Sequence, residues 1–455
     1  MPVMSHFREY DRATGYLLPP SVDDWLPERH LARFVVEVID SLDLSAMVKS
    51  YRGGGSAGYH PALLLGLLVY GYASGVFSSR KLERATYDSV AFRFIAANDH
   101  PDHDTIATFR RRFLQEIEAL FVRVLELARE MGLLKLGTVA LDGTKIHANA
   151  SRHSALSYEH ASKIEAQLKA EVAELLARAE AADQADAAVD GMSIPAELAR
   201  REERLVKLAE ARAKLEARAK ERFEQEIAAH RAKLAAREAA AARGKKPGGR
   251  PPSPPVEGPQ AKDQINLTDE DSRIMPVAGG GFEQCYNAQA AVAAENLLVI
   301  AADVVQAPND KQQIAPMLEK TAALPEQLGR IETLLADNGY FSEANVLACT
   351  AANIAPLIAT GRQRHHPSWR ERFAAAPPAP ETPTPVEAMA WQLRTPQGKQ
   401  LYALRKQTPE PVFGIIKSVM GFRQFLLRGL ACVRGEWSLV TMSWNIKRMH
   451  ALSLG

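Results

Sequence analysis

The sequence predicts a mixed α/β protein: a helical N-terminal region, then an α/β domain that a long helical insertion interrupts near its start. Three observations predict this. Up to about Leu134 the apolar residues recur at helical spacing, with turn chemistry between the segments. Two short apolar runs, Gly137-Thr-Val-Ala-Leu-Asp142-Gly143-Thr144 and Thr333-Leu-Leu-Ala-Asp337-Asn338-Gly339-Tyr340, read as buried strands that stop at an aspartate. From about residue 155 to 243 the chain is dominated by Ala, Glu, Lys, Arg and Leu, which reads as a helical hairpin or coiled coil.

In chain order, helical spacing runs over residues 31–41, 61–74, 79–97 and 105–131, with a glycine-rich loop at 52–58. His103-Asp104-Thr105 suits the start of the last of these helices. Several short helices with glycine-bearing turns suit a helix-turn-helix-like DNA-binding module, and Arg110, Arg111 and Arg112 add charge for phosphate contacts. In the insertion, Ile164, Leu168, Val172, Leu175 and Leu176 form one stripe and Leu205, Leu208, Leu215 and Phe223 another. Asp190-Gly191-Met-Ser-Ile-Pro195 separates the two. Residues 244–255 are basic and rich in Pro and Gly, as in a disordered linker. Beyond it, strands are expected at 284–292, 297–304, 331–336 and 355–359, helices at 311–323 and 342–352, and helix again from Thr408.

Without the insertion the order becomes strand, strand, strand, helix, strand, helix, strand, helix. That order is expected of a ribonuclease-H-like α/β domain. The expected organisation is therefore residues 1–134 as a helical DNA-binding region, 135–154 with 256–455 as the catalytic domain, 155–243 as the insertion and 244–255 as the linker. Asp142 falls on the first strand, Asp337 after the fourth, and Glu410 on the last helix, so residues distant in sequence would converge at one end of the sheet.

Length and composition narrow the function classes. The 455 residues suit two or three domains, and 46% hydrophobic residues supply at least one sizeable core. The apolar stretch 62–76 is too short for a bilayer, and the N-terminus lacks a signal-peptide core, so no membrane partner is expected. Cys285, Cys349 and Cys432 are scattered and form no zinc pattern, which suits a reducing cytoplasm. A net charge of +2 leaves nucleic-acid binding to local patches.

Three carboxylates carry the chemistry: Asp142, Asp337 and Glu410. Two Asp at strand ends plus one Glu on a later helix suit a two-metal phosphoryl-transfer site. Hard divalent ions take oxygen ligands, and two of them clamp the attacking and leaving oxygens of an in-line displacement. Taken singly, Asp142 and Asp337 also suit strand-end turns, and Glu410 a first-turn helix carboxylate. In Pro409-Glu410-Pro411, proline is tolerated only in a first turn, so Thr408 should cap the helix. Lys417 should then share a face with Glu410. His147 reads as structural or DNA-facing, and His365-His366 lack the spacing of a metal pair. Arg423, Arg428, Arg434, Lys447 and Arg448 form a solvated face or a DNA-backbone contact. Trp437 and Trp444, seven residues apart, read as core.

With those residues in hand, the chain resembles a bacterial insertion-sequence DDE transposase. More narrowly, it resembles the IS-eleven-eighty-two-like group, with a Tyr-Arg-Glu-Lys signature around the third carboxylate. The resemblance is carried by Leu17-Leu18-Pro19-Pro20, Pro101-Asp-His-Asp-Thr105, Leu141-Asp142-Gly143-Thr144-Lys145 and Asp269-Glu-Asp-Ser-Arg273. It is carried further by Tyr286-Asn287-Ala288-Gln289, Ala336-Asp337-Asn338-Gly339-Tyr340 and Asn445. It implies that Asp142, Asp337 and Glu410 bind two Mg²⁺ ions, or Mn²⁺, and that Tyr402, Arg405 and Lys417 handle DNA phosphates. The arginine stands one residue further from the Glu than in the broader signature, and Lys406 occupies the alternative position, so both are candidates. The implied reaction is phosphodiester hydrolysis at terminal inverted repeats followed by strand transfer into double-stranded target DNA, by at least a dimer when two ends are held. The rivals are an inactive DNA-binding relic, a metal-dependent nuclease that does not transpose, and a coiled-coil interaction protein suggested by the insertion alone.

Overall fold

A computed structural model of the chain describes residues 21–51, 58–185, 194–243, 250–277, 279–361 and 378–455. The Leu17-Pro20 segment, most of the 52–58 loop, the Asp190–Ser193 part of the break between the insertion stripes, residues 244–249 of the linker and His365-His366 lie outside these.

The N-terminal part is helical: α1 (Leu31–Asp40), α2 (Ser45–Lys49), α3 (Pro61–Ser74), α4 (Ser79–Asp88), α5 (Val90–Ile95), α6 (His103–Arg112) and α7 (Leu114–Glu130). Two helices expected as continuous are broken. Ser89 is extended at φ −120°, ψ 124°, and separates α4 from α5. Phe113 leaves helical geometry between α6 and α7 and is buried. Its burial is the tertiary reason that helical spacing alone could not show. Asp102 caps α6, accepting from Thr105 N at 2.8 Å.

The sheet has six strands: β1 (Thr138–His147), β4 (Arg273–Pro276), β5 (Phe282–Ala293), β6 (Val299–Val305), β7 (Thr333–Ala336) and β8 (Ala355–Ile358). β4 and β6 both pair with β5; the order then runs β5, β1, β7, β8. β4 and β6 are antiparallel to β5, and β5 to β1. β1, β7 and β8 run parallel. Val139, Ala140 and Leu141 of β1 are buried, as a central strand covered on both faces requires. Helices α10 (Ile314–Ala322) and α11 (Glu343–Ala351) lie between the later strands in sequence.

The insertion is a hairpin of α8 (Tyr158–Ala185) and α9 (Ile194–Ala242). At its foot β2 (Ala155–Ser157) pairs antiparallel with β3 (Gln264–Asn266). Arg201 pairs with Glu171 at 2.9 Å, and Arg212 with Glu165, so the two helices run antiparallel. With 49 residues α9 extends about 70 Å. The hairpin holds small apolar clusters of its own, such as Leu156, Ala161, Leu168 and Leu208. Residues 250–255 carry no helix or strand. His230 Nε2 lies 3.2 Å from Pro252 O, and Arg222 donates to Gly258 O and Asp263, so the stretch from Pro252 to Asp263 touches α9.

After β8 come α12 (Pro385–Gln392), α13 (Pro396–Ala403), α14 (Pro409–Gly414) and the long α15 (Leu430–Ser453). α15 is buried almost all round and packs on α3, α7 and β6. Trp437 Nε1 donates to Gln289 O and Trp444 Nε1 to Leu297 O, so both tryptophans are core residues. One apolar cluster runs from Leu26 through the sheet to Met449, so the boundary near residue 134 separates elements that share a core. Buried Glu436 on α15 accepts from Tyr72 OH on α3 at 2.7 Å and from the amides of Leu426 and Leu427. Among the described residues no single helix is long and apolar enough to cross a membrane.

Candidate active site

Parallel pairing positions the two aspartates. β1 and β7 pair as Thr138 with Thr333, Val139 with Leu334 and Ala140 with Leu335. Continued two residues further, that register would set Asp142 level with Asp337, one residue past the end of β7. β7 ends there because Asp337 turns its carboxylate back to accept from Gly339 N at 2.7 Å, starting a single helical turn. Asp142 accepts from Gly143 N at 2.8 Å. Its side chain is only 18% exposed. Burial raises its pKa from the ordinary 3.8 to about 7; the Gly143 amide and Arg405 oppose the rise, and nearby Asp337 and Asp310 add to it.

Glu410 comes to this site on α14. Pro409 takes the first helical position and Glu410 the first turn. Thr408 stands at the capping position without capping. Its hydroxyl donates back to Leu404 O at 2.7 Å, leaving the Glu410 turn uncapped by a side chain. Arg405, on the turn before α14, lies 4.0 Å from Asp142 Oδ2 and 3.6 Å from Glu410 Oε1. The Glu410 carboxylate is 54% exposed and Arg405 13%.

The remaining expected DNA contacts divide. Tyr402 packs on Ala140, Leu335 and Leu357, and its hydroxyl donates to Ala336 O at 3.3 Å, bracing the strand end before Asp337. Lys417 lies on a wide π turn (Ile415–Val419) after α14 and donates to Thr144 Oγ1 and to Lys145 O. Its ammonium is tied to β1 just past Asp142, and burial lowers its pKa. Lys406 is exposed. Arg110 corrects an expectation: it is buried, and donates to Tyr72 OH at 3.0 Å and Phe77 O at 3.1 Å. In this arrangement it is a core residue beneath Glu436 and not a surface cation. Arg112 is exposed but tied to Ser50 O, with its guanidinium over Tyr51 and Phe113, and Arg111 is exposed. At the C-terminus, Arg434 pairs with Asp303 at 2.9 Å, and Lys447 and Arg448 donate to Ala73 O and Asn296 O. These cations hold the fold together. Arg423 and Arg428 bond Lys417 O and Asn149 O from exposed positions.

Sequence reading missed one acidic neighbour. Asp310, in the loop before α10, accepts from Asn287 Nδ2 and Gln289 Nε2, each at 2.7 Å. Asn309-Asp310 reads as turn chemistry, and only strand pairing brings it beside Gly143.

The donor set of Asp142, Asp337 and Glu410 is all oxygen, the kind a hard divalent cation takes. As the side chains lie, no three His, Cys, Asp or Glu among the described residues are close enough to hold an ion. Arg405 takes the cationic place between Asp142 and Glu410.

The mixed sheet carries one acidic residue within β1 and another just past the end of the parallel β7, with Arg405 between the first and Glu410. Comparison with known families narrows this. Residues 20–112 match the Transposase domain (DUF772) family, and residues 379–450 match the Transposase DDE domain family. The second match contains Tyr402, Arg405, Lys406, Glu410 and Lys417, and neither aspartate. Together the two support an insertion-sequence DDE transposase, and the second implies an enzyme of the nuclease or transposase type. No curated protein matches the chain, and no solved structure does.

Proposed function

We propose that the protein is a DNA transposase of the IS-eleven-eighty-two-like group. In this reading it cuts DNA at terminal inverted repeats and joins the freed end to target DNA, working in the cytoplasm as a homodimer on paired ends. The observation that carries the reading is the parallel pairing of β1 with β7, which leads toward Asp142 and Asp337, with Arg405 between Asp142 and Glu410. The strand order β6-β5-β1-β7-β8, with the first three antiparallel and the last three parallel, supports a ribonuclease-H-like catalytic domain.

Asp142, Asp337 and Glu410 would hold two Mg²⁺ or Mn²⁺ ions. Bound there, the ions supply Lewis acidity and neutralise charge developing on the phosphate. The protein's own part is positional. Tyr402 braces the strand end before Asp337, and Lys417 fixes the strand beyond Asp142. Arg405 would release its carboxylates and turn to a DNA phosphate, with exposed Lys406, Arg111 and Arg112 adding backbone contacts. In the first step a water oxygen bonds to phosphorus and the P–O3′ bond breaks, leaving a 3′-hydroxyl and a 5′-phosphate. In the second, that 3′-hydroxyl attacks a target phosphodiester and displaces another 3′-hydroxyl.

The test uses labelled DNA carrying the flanking inverted repeats, with Mg²⁺ or Mn²⁺. Metal-dependent joining lost in Asp142→Ala, Asp337→Ala and Glu410→Ala, with DNA binding kept, supports the reading. Cleavage without joining favours a nuclease. Binding without cleavage under either metal favours an inactive relic.

A further inference from the structure

We propose that Asp310 is a fourth carboxylate of this site and takes part in holding the divalent cation, an inference that rests on reading Asp142 and Asp337 as cation ligands. Its Oδ1 accepts both amides, from Asn287 and Gln289 of β5. Those residues stand opposite Lys145 and Gly143 of β1, so the amides sit over the strand just past Asp142. Gly143 makes the approach possible: a Cβ there would stand 2.6 Å from Asp310 Oδ1 and 2.2 Å from Gln289 Nε2. The other oxygen, Oδ2, accepts no hydrogen bond among the described residues. It lies 3.8 Å from where a Cβ on Gly339 would stand, a point 2.9 Å from Asp337 Oδ1. Asp310 thus reaches from the residue after Asp142 to the turn formed by Asp337.

The placement is built into the fold. Asn345 Nδ2 donates to Lys311 O and to Tyr340 O, both at 2.7 Å, joining the Asp310 loop to the Asp337 turn. Gln289 joins them again, donating to Asp310 and accepting from Tyr340 OH. A second observation is independent of these contacts. Asn287 is fully buried, and its Oδ1 has no hydrogen-bond partner. That oxygen lies 2.9 Å from the same Cβ position over Gly143, beside Asp310. Buried carbonyl oxygens are nearly always satisfied, and a cation or its water would satisfy this one.

A purely structural Asp310 would only receive two amides, and Asp310→Asn keeps an acceptor oxygen for them. The experiment is calorimetric titration of Mn²⁺ into the metal-stripped full-length protein, for wild type, Asp310→Asn and Asp142→Asn, with metal-free melting curves alongside. The expected result is Asp310→Asn melting as wild type without metal and binding Mn²⁺ about tenfold or more weakly. If only Asp142→Asn weakens binding, this inference is overturned and the active-site reading stands. If neither variant weakens binding, the reading beneath it fails as well. A second measurement needs no variant: Fe²⁺ with ascorbate and peroxide should cut the wild-type backbone near residue 310 as well as near 142 and 337. Cuts confined to the latter two would also overturn the role of Asp310.

Discussion

Arg405 Nη1 lies 4.0 Å from Asp142 Oδ2, and its other terminal nitrogen lies 3.6 Å from Glu410 Oε1. One guanidinium therefore stands between a buried carboxylate and an exposed one. Arg405→Gln removes this internal cation and leaves Asp142 beside Asp337 without compensation. In chelator the variant should lose about 1–3 kcal/mol of stability. Mn²⁺ should raise its melting temperature more than that of wild type. Equal responses would mean that the ion pair and the cation do not share the site.

The Asp142 carboxyl responds to pH in a definite sense. Its pKa is about 7 in the folded protein against an ordinary 3.8, so the folded state holds the proton more tightly than the unfolded state. Its contribution to stability is therefore lost as pH rises from about 4 to about 7. Asp142→Asn should leave stability near wild type at pH 4. At pH 8 in chelator it should be more stable by an amount on the order of 2–4 kcal/mol. Chemical denaturation at the two pH values checks the difference.

Gly143 has no room for a side chain. A Cβ there would stand 2.2 Å from Gln289 Nε2, 2.6 Å from Asp310 Oδ1 and 2.9 Å from Asn287 Oδ1. Gly143→Ala should cost about 1–3 kcal/mol, because three hydrogen-bonded side chains would have to move together. It should also weaken Mn²⁺ binding, since Asp310 is displaced. Melting curves and calorimetry on the same sample read both effects.

Glu436 joins the helical region to the C-terminal helix. It is fully buried and accepts from Tyr72 OH and two backbone amides. Glu436→Ala strands those donors beside Arg110 and should cost about 3–5 kcal/mol. Tyr72→Phe removes one of these three bonds and the acceptor of Arg110 Nη1, and should cost about 1–3 kcal/mol. A small effect of Glu436→Ala in urea unfolding would show that the network is dispensable.

The hairpin packs on clusters at its foot, where Ala211 and Leu215 of α9 meet Ile265 of β3 and Lys214 pairs with Glu270, and Ser157 faces Gln264. A short turn in place of residues 158–263 should close β2 onto β3 and leave the sheet intact. The melting temperature should stay within a few degrees of the full chain. A collapse of the fold would show that α9 supports the sheet.

By itself the sequence made legible the mixed helix and sheet architecture and the elements that carry its acidic residues. Apolar runs stopping at Asp142 and Asp337, and the prolines around Glu410, are local signals, because strand burial and the helix first turn act on neighbouring residues. The hairpin was legible for the same reason: helical periodicity is written along the chain. Only the tertiary structure decided which polar groups share a space. Arg110 looked like its neighbours Arg111 and Arg112, yet packing turned it inward to Tyr72, away from any phosphate. Thr408 held the capping position and bonded backward to Leu404. Asp310 carried no signal at all, because its partners Asn287 and Gln289 reach it through strand pairing, which depends on register between distant segments. A residue's secondary structure follows from its neighbours in sequence, whereas its charge environment follows from neighbours that only folding supplies.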